Sequence, residues 1–207
     1  MTCFSGARAA FFCTASLERW QRRSDRLEGL LRRVKCPRVE TFEANGQVYK
    51  LPVPAAVPKR EPSREELEYL CGNFDGDGCV SMRKANGEIR LVVTQAIDRA
   101  EILVRFREAL GGCVYREKDA TGFRSACLRW QASRRAAQRA ASILCSIPSM
   151  KQAQLQIAAE ATEGIVPEDS RPDVAQLLKS LKAHTYSPLR GTLKCTWPYF
   201  AVFFDAE

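Results

Sequence analysis

The sequence predicts an α+β fold in which helices cover one face of a four-stranded antiparallel sheet. Apolar residues recur at helical spacing in four stretches and alternate with polar residues in four others. Their order along the chain is α-β-β-α-β-β-α-α over roughly 100 residues, which is enough for one compact domain. The composition is that of a folded protein, with 45% hydrophobic and 27% charged residues.

Each element follows from local signals. The first helix begins at a capping box, in which Ser63 precedes Glu66 by three positions, and it runs into an Asp-Gly-Asp-Gly sequence. Asn86-Gly87 is a strong hairpin turn between the first two strands. The periodicities predict strands at Val80–Lys84, Glu88–Gln95, Cys113–Glu117 and Phe123–Gln131, and helices at Arg99–Leu110, Ser133–Cys145 and Ser149–Glu163.

These elements define one domain at 62–164. A basic extension with a proline-rich linker precedes it at 1–61, a connection with a short helix follows at 165–192, and a final helical segment occupies 193–207. The Arg-rich, acid-poor start is typical of a mitochondrial or chloroplast transit peptide, but also of a basic helix at about Leu17–Val34. The compartment, including the nucleus, stays open.

Charge and cysteine spacing limit the classes of function. Thirty-two Lys and Arg against 24 Asp and Glu give a net charge of +8, which favours a polyanionic partner, with nucleic acid first. The nine cysteines include no C-x-x-C pair and His184 is the only histidine, so a zinc site lacks its usual ligand spacing. The longest uncharged run, Ala140–Met150, is too short for a membrane span. Any metal is therefore expected on carboxylates, and no membrane partner is expected.

The end of the chain repeats the helix that precedes the first strand. Tyr69–Asp77 and Tyr199–Glu207 share their order of tyrosine, apolar, small and bulky residues, and both end on an acid two places after an aspartate. Such internal similarity has to be interpreted before the separate parts. Asp77 and Glu207 occupy the same position of the repeat.

Carboxylates at the carboxyl end of a helix oppose its dipole, so a cation would stabilise them there. Small residues one turn earlier in each copy would let two such helices pack closely and bring Asp77 and Glu207 together. Two carboxylates that share divalent cations suit phosphodiester hydrolysis. Three alternatives remain: a plain surface turn, an ordinary core helix, and a calcium loop, although Lys84 stands where the last calcium ligand should be.

The segment Leu67–Gly78 resembles the signature helix of the LAGLIDADG homing endonucleases, and Tyr199–Glu207 resembles its second copy. The resemblance covers roughly 63–163 and the end of the chain. It implies a Mg²⁺-dependent, site-specific endonuclease that cuts both strands of a DNA duplex held in a saddle of β-strands. It also implies that Asp77 and Glu207 hold the metal, with Gly76 beside the first, and that Asp75 is structural.

The resemblance extends to three further candidate catalytic residues. Gln95 ends the second strand and Arg99 follows four positions later, similar to the pair that lines the water network of the family's active site. Lys151 resembles the basic residue that the family places near the scissile phosphate. The alternative is that Arg99 and Lys151 are ordinary cations on helix surfaces.

Alternation in the strands assigns one phase to the helices and the other to an open face. The helix-facing phase holds Val80, Met82, Ile89, Leu91, Val93, Ala126, Leu128 and Trp130. The open face suits base edges and phosphates in a major groove, although a solvated face is the alternative. Its predicted DNA-binding residues are Ser81, Arg83, Glu88, Arg90, Val92, Arg116, Lys118, Ser125, Cys127 and Arg129.

The second signature helix has no further α/β half after it in this sequence, so we expect a fragment of a longer protein, or a decayed or mispredicted gene product. The two signature helices would pair within the chain, or the protein would form a homodimer through the first of them. Two other functions stay open beside the nuclease. One is an RNA-binding maturase of a group I intron, and the other is a DNA-binding module whose nuclease activity has lapsed.

Overall fold

The computed structural model describes residues 6–31, 33, 36–58, 60–121, 124–183 and 196–205, with side chains from residue 16 onward except those of 183, 204 and 205. Two compact units are present. One combines Met1–Arg38 with Asp119–Ser125, and the other combines Val39–Lys118 with Ala126–Glu207.

The first unit contains one long helix, α1 (Gly6–Leu31). Leu17, Trp20 and Leu30 are exposed along it, and Arg22 pairs with Glu18 one turn earlier. The helix includes most of the basic segment predicted to be helical, and the targeting role stays a prediction. In the part of the chain that the structure describes, no helix is long and apolar enough to cross a membrane.

The second unit begins with a hairpin that sequence analysis left within the N-terminal extension of 1–61. Strands β1 (Thr41–Ala44) and β2 (Gln47–Lys50) pair antiparallel around Asn45-Gly46. Both turn residues have positive φ, which is the conformation that Asn-Gly adopts in two-residue hairpin turns. Phe42 is buried in the core, so the folded unit starts well before the predicted boundary at residue 62.

Helix α2 (Arg64–Asp77) starts as the capping box predicts, since the backbone N–H of Glu66 donates to the Ser63 hydroxyl at 3.2 Å. Leu70, Cys71 and Phe74 are fully buried on one side of it. The helix ends at Asp77, and the next residue opens the first strand of the main sheet. This abrupt change of direction places Asp77 at the margin of the sheet.

The main sheet has four antiparallel strands in the order β3-β4-β6-β5. The strands are β3 (Gly78–Met82), β4 (Ile89–Ala96), β5 (Cys113–Lys118) and β6 (Cys127–Ser133). They pair as two hairpins joined at the centre by β4 and β6. The predicted fold class and the predicted order of elements are confirmed.

The described residues of this unit form five more α-helices: α3 (Glu101–Leu110), α4 (Arg135–Leu144), α5 (Gln152–Glu160), α6 (Arg171–Ala183) and α7 (Trp197–Asp205). Helices cover one face of the sheet, and the predicted helix-facing residues of β3, β4 and β6 are fully buried apart from Met82, which is half-buried. Trp130 lies at the centre, where its indole N–H donates to the carbonyl oxygen of Gly111 at 2.7 Å.

Candidate functional site

Asp77 lies where α2 ends and β3 begins, and it is half-buried. The side-chain amide of Gln95, near the end of the neighbouring strand β4, donates to Asp77 Oδ2. The pairing of Gly78 with Val93 explains the meeting, because it brings the start of β3 alongside the end of β4. Two of the predicted catalytic residues are therefore in direct contact, although they are 18 positions apart.

Lys151 reaches the same end of α2 from the segment before α5. Its ammonium group donates to the carbonyl oxygens of Phe74 at 2.9 Å, Gly76 at 3.4 Å and Gly78 at 2.6 Å. Carbonyl oxygens at the end of a helix carry partial negative charge, so a buried cation there stabilises the helix end. Lys151 is 9% exposed, so in this structure it holds the backbone that carries Asp77 instead of lying on the surface.

Asp75 is a buried carboxylate with four donors. It accepts hydrogen bonds from the Ser149 hydroxyl at 2.6 Å, from the backbone N–H groups of Met150 at 2.7 Å and Lys151 at 3.2 Å, and from the Tyr199 hydroxyl at 2.5 Å. Asp75 thus fixes the start of α5 and the position of α7 at once. This is a structural role, as expected from the sequence.

Helices α2 and α7 pack against each other at very short range. A Cβ atom at Gly72 would overlap the backbone carbonyl oxygen of Tyr199, so only glycine permits this approach. Tyr199 and Val202 are buried in the contact. The predicted close packing of the two repeated helices is present in the described residues, whereas Glu207 lies outside them. The meeting of Asp77 with Glu207 stays a prediction.

Gly72→Ala should separate the two helices, because the added methyl group meets backbone atoms that cannot rotate away. We expect the free energy of unfolding to fall by about 2 kcal/mol, which is typical of overpacking. Urea denaturation measures this difference. Gly29→Ala is the matched control, because Gly29 is also helical but its Cβ would enter open space. A Gly72→Ala protein as stable as the wild type would contradict the close contact.

Partial burial raises the pKa of Asp77, while the hydrogen bond from Gln95 and the charges of Lys151 and Arg99 oppose that rise. Burial lowers the pKa of Lys151, while nearby anionic groups, chiefly the Asp75 carboxylate, oppose that fall. The positive charges around Asp77 therefore offset only part of the free-energy cost of burying its ionised carboxylate. A divalent cation with oxygen ligands would complete the compensation, so the group fits a Mg²⁺ site.

This half of the site supplies few ligands by itself. Among the described residues, no three His, Cys, Asp or Glu side chains come together in a way that could hold a metal ion. Mg²⁺ is usually bound through one or two carboxylates, with water and substrate phosphates as its other ligands. One half-buried carboxylate beside exposed Gly76 is consistent with that type of site.

The raised pKa of Asp77 predicts how metal and pH affect stability. The folded state binds the Asp77 proton more tightly than the unfolded state, so stability falls as pH rises from the ordinary carboxyl pKa through the raised one. At neutral pH, Mg²⁺ at ten times its Kd should add about 1.4 kcal/mol, or about 3–6 °C in Tm.

Thermal unfolding with Mg²⁺ and with EDTA measures the effect. Asp77→Asn should unfold in EDTA at the wild-type temperature or above it, and it should lose the Mg²⁺ shift. Asp173→Asn, an exposed acid on α6, is the control that should keep the shift. An equal Mg²⁺ shift in the Asp77→Asn protein would remove Asp77 from the metal site.

The open face of the sheet consists of cross-strand rows of half-exposed side chains. Residues paired across antiparallel strands point to the same face, so the register defines the rows. Four of these rows are Ser81–Arg90–Ser133, Cys79–Val92–Gln131–Cys113, Thr94–Arg129–Tyr115 and Cys127–Lys118. Thr94, Gln131 and Tyr115 were not among the predicted residues. The same alternation, continued along each strand, would have included them.

The side chains of two predicted DNA-binding residues are not accessible on the open face. Arg116 pairs with Leu128, which is fully buried, so Arg116 points to the helix-covered side. A bulge between Arg116 and Lys118 then returns Lys118 to the open face, opposite Cys127. Glu88 has the predicted phase but is only 7% exposed, because its carboxylate contacts Arg90 at 3.1 Å and Arg134 at 3.9 Å.

The other predicted surface residues are placed as follows. Arg83 is exposed in the turn after β3, and Ser125 is exposed but belongs to the first unit. Arg129 forms an ion pair of 2.8 Å with Glu117 on the neighbouring strand. Carboxylates therefore hold Arg90 and Arg129 in fixed positions on the sheet, which limits the conformations each guanidinium loses on binding.

No protein-family model matches the chain, and no curated protein matches it. Solved structures similar to it include two of the homing endonuclease I-CvuI. One is a complex with its target (Sro1.3) in the presence of 2 mM Ca, with 17% identity and a TM-score of 0.40, covering 69% of this chain and 96% of that one. The other is a complex with the I-CreI target (C1221) in 2 mM Mg, with DNA not cleaved. Its identity is 17% and its TM-score 0.40, and it covers 68% of this chain and 91% of that one.

Proposed function

We propose that this chain is a divalent-metal-dependent, site-specific DNA endonuclease, or a piece of one. The observation that supports this most is the environment of Asp77. Its carboxylate is incompletely compensated, is held by Gln95, and lies at the edge of a sheet whose open face carries Arg90, Arg129 and Lys118. A metal-binding acid beside a basic surface is the arrangement that phosphodiester hydrolysis needs.

Each site residue has a separate task in this proposal. Gln95 fixes one oxygen of Asp77, and Lys151 fixes the backbone on both sides of it. Arg99 is exposed and its positive charge acts on Asp77, so in this proposal it contacts a phosphate near the metal. Mg²⁺ held by Asp77, with the Gly76 carbonyl and Glu207 as further ligands, would supply an activated water and neutralise charge on the phosphate.

The open face would read the DNA sequence. Arginine, threonine, glutamine and serine side chains on rigid strands are suited to hydrogen bonds with base edges in the major groove. Arg90 and Arg129 are positioned by carboxylates, whereas Lys118 is exposed and suits a phosphate contact. Arg116 is excluded from this surface by its direction, so its substitution is not expected to alter sequence preference.

We further propose that the two repeated helices pair within one chain. The surface of α2 around Gly72 is already occupied by α7 of the same chain, so it is closed to a second copy of α2. Trp197 and Phe200, on the other side of α7, are 83% and 44% exposed. Of their counterparts in the repeat, Leu70 is buried in the core beneath the sheet and Leu67 is half-buried against it. A second sheet unit of the same type would cover Trp197 and Phe200 in the way that this sheet covers their counterparts.

Cleavage of supercoiled plasmids that carry a library of inserts tests the proposal. We expect linear product with Mg²⁺, with breaks clustered at related sequences, and no product with EDTA. Equilibrium binding distinguishes the alternatives. Tighter binding to a group I intron RNA than to duplex DNA would favour a maturase, and DNA binding without cleavage would favour a lapsed nuclease.

A further inference from the structure

A groove of about 970 Å³ runs between β3 and α6 at the edge of the main sheet. Helix α6 is anchored at both ends and at its centre. Arg171 donates to the carbonyl oxygen of Ala85 at 3.3 Å, Lys182 donates to the Cys79 sulfur at 3.0 Å, and Leu178 is buried between them. The groove is thus held by a fixed helix beside a fixed strand.

Four cations lie along the groove, whose remaining lining is largely apolar. Lys84, Arg171, Lys179 and Lys182 line it, and none of its lining residues that the structure describes is an Asp or Glu. Lys84 and Lys179 are exposed, so their ammonium groups are accessible to a partner. Four cations without a lining carboxylate attract a polyanion, and they repel one another in the absence of a partner.

The groove continues the open face of the sheet. Ser81 lines it and belongs to the open-face row with Arg90, whereas Met82 lines it from the opposite phase. The groove therefore lies along the outer edge of β3, where the open face ends. A duplex lying across the open face would bring the backbone of one strand to this edge.

The far end of the groove lies beside the candidate metal acid. Lys182 contacts Cys79, which is two residues after Asp77. Besides burial, which is the larger cause, the positive charge of Lys182 lowers the pKa of Lys151, so it also acts on the group that holds the end of α2. From Lys84 to Cys79 the strand spans about 16 Å, enough for more than one phosphate of a DNA strand.

We infer that the groove between β3 and α6 holds the phosphates of one DNA strand and guides that strand from the edge of the open face to Asp77. The inference rests on the proposed nuclease function and adds to it a backbone-binding site outside the sheet. The contacts are to phosphates, so they raise affinity for every sequence and carry no sequence preference. Helix α6, predicted as a short helix within a connection, then takes part in binding.

The salt dependence of DNA binding tests the inference. Lys84→Gln combined with Lys179→Gln removes two exposed cations and none of the anchoring contacts. Binding is measured by fluorescence anisotropy with a labelled duplex of random sequence in EDTA, over a series of KCl concentrations. The slope of log K against log salt is negative, and the loss of two phosphate contacts should reduce its magnitude by about 1.8. Affinity at about 0.1 M salt should fall about 60-fold.

The matched control is Lys50→Gln combined with Arg139→Gln, which removes the same charge from exposed positions on β2 and α4. We expect this control to keep the wild-type slope. Equal slopes for the groove variant and the control, with wild-type protein still binding DNA, would overturn the groove assignment and leave the nuclease proposal standing. A wild-type protein that binds no duplex at low salt would overturn both.

Discussion

Asp75→Ala should lower the free energy of unfolding by about 4 kcal/mol, because it removes the acceptor of four hydrogen bonds and a charge that faces buried Lys151. Ser149, which is buried, would be left with an unsatisfied hydroxyl, and the start of α5 would lose its anchor. Lys151 would stay buried with less compensation. Urea denaturation followed by circular dichroism measures the loss.

Tyr199→Phe is the control for this prediction, and it remains measurable if Asp75→Ala fails to fold. It removes one of the four donors, leaves the ring packed against α2, and should cost about 1 kcal/mol. Both costs should be independent of Mg²⁺, because neither residue is proposed as a metal ligand. An Asp75→Ala protein that unfolds at the wild-type urea concentration would contradict the structural role of Asp75.

Asp77→Asn should reduce Mg²⁺-dependent DNA cleavage by about 1000-fold or more, because a metal that loses its carboxylate loses several kcal/mol of transition-state stabilisation. Asparagine keeps the shape of the side chain and an oxygen that accepts the Gln95 hydrogen bond. DNA binding in EDTA should therefore stay close to that of the wild type. Conversion of supercoiled plasmid to nicked and linear forms gives the rate.

Asp173→Asn serves again as the control, since it removes a carboxylate from an exposed position on α6 and should cut at the wild-type rate. Cleavage by Asp77→Asn at the wild-type rate would exclude Asp77 from the reaction. Loss of binding together with cleavage would instead show that Asp77 supports the DNA-binding surface and not the chemistry.

Local signals predicted much of the fold. The Ser63 cap, the Asn86-Gly87 turn and the apolar phase of β4 act over a few residues, and each is present. The contact between Asp77 and Gln95 is less local, but it depends only on the register of a single hairpin. The hairpin at 41–50 had an equally clear signal in Asn45-Gly46, but its strands are short and lie next to a proline-rich stretch.

Other features depend on parts of the chain that no local pattern connects. The direction of Arg116 follows from the pairing of β5 with β6 and from a bulge, and neither changes the alternation in an obvious way. The carboxylate of buried Glu88 also contacts Arg134, which lies 46 positions later in the chain. The position of Lys151 depends on Asp75, which accepts a hydrogen bond from the Lys151 backbone N–H although the two residues are 76 positions apart.

The mutual support between the end of α2 and the start of α5 has a consequence for folding. Asp75 holds the segment at 149–151, and Lys151 in turn holds the end of α2, across a separation of about 75 residues. Closing so long a loop costs conformational entropy, which is offset only once the sheet between these two segments has formed. The contacts of Asp75 and Lys151 should therefore be among the last to form. During synthesis, Asp77 would thus acquire its surroundings only after the ribosome has released the whole sheet, and no earlier species would hold the complete candidate site.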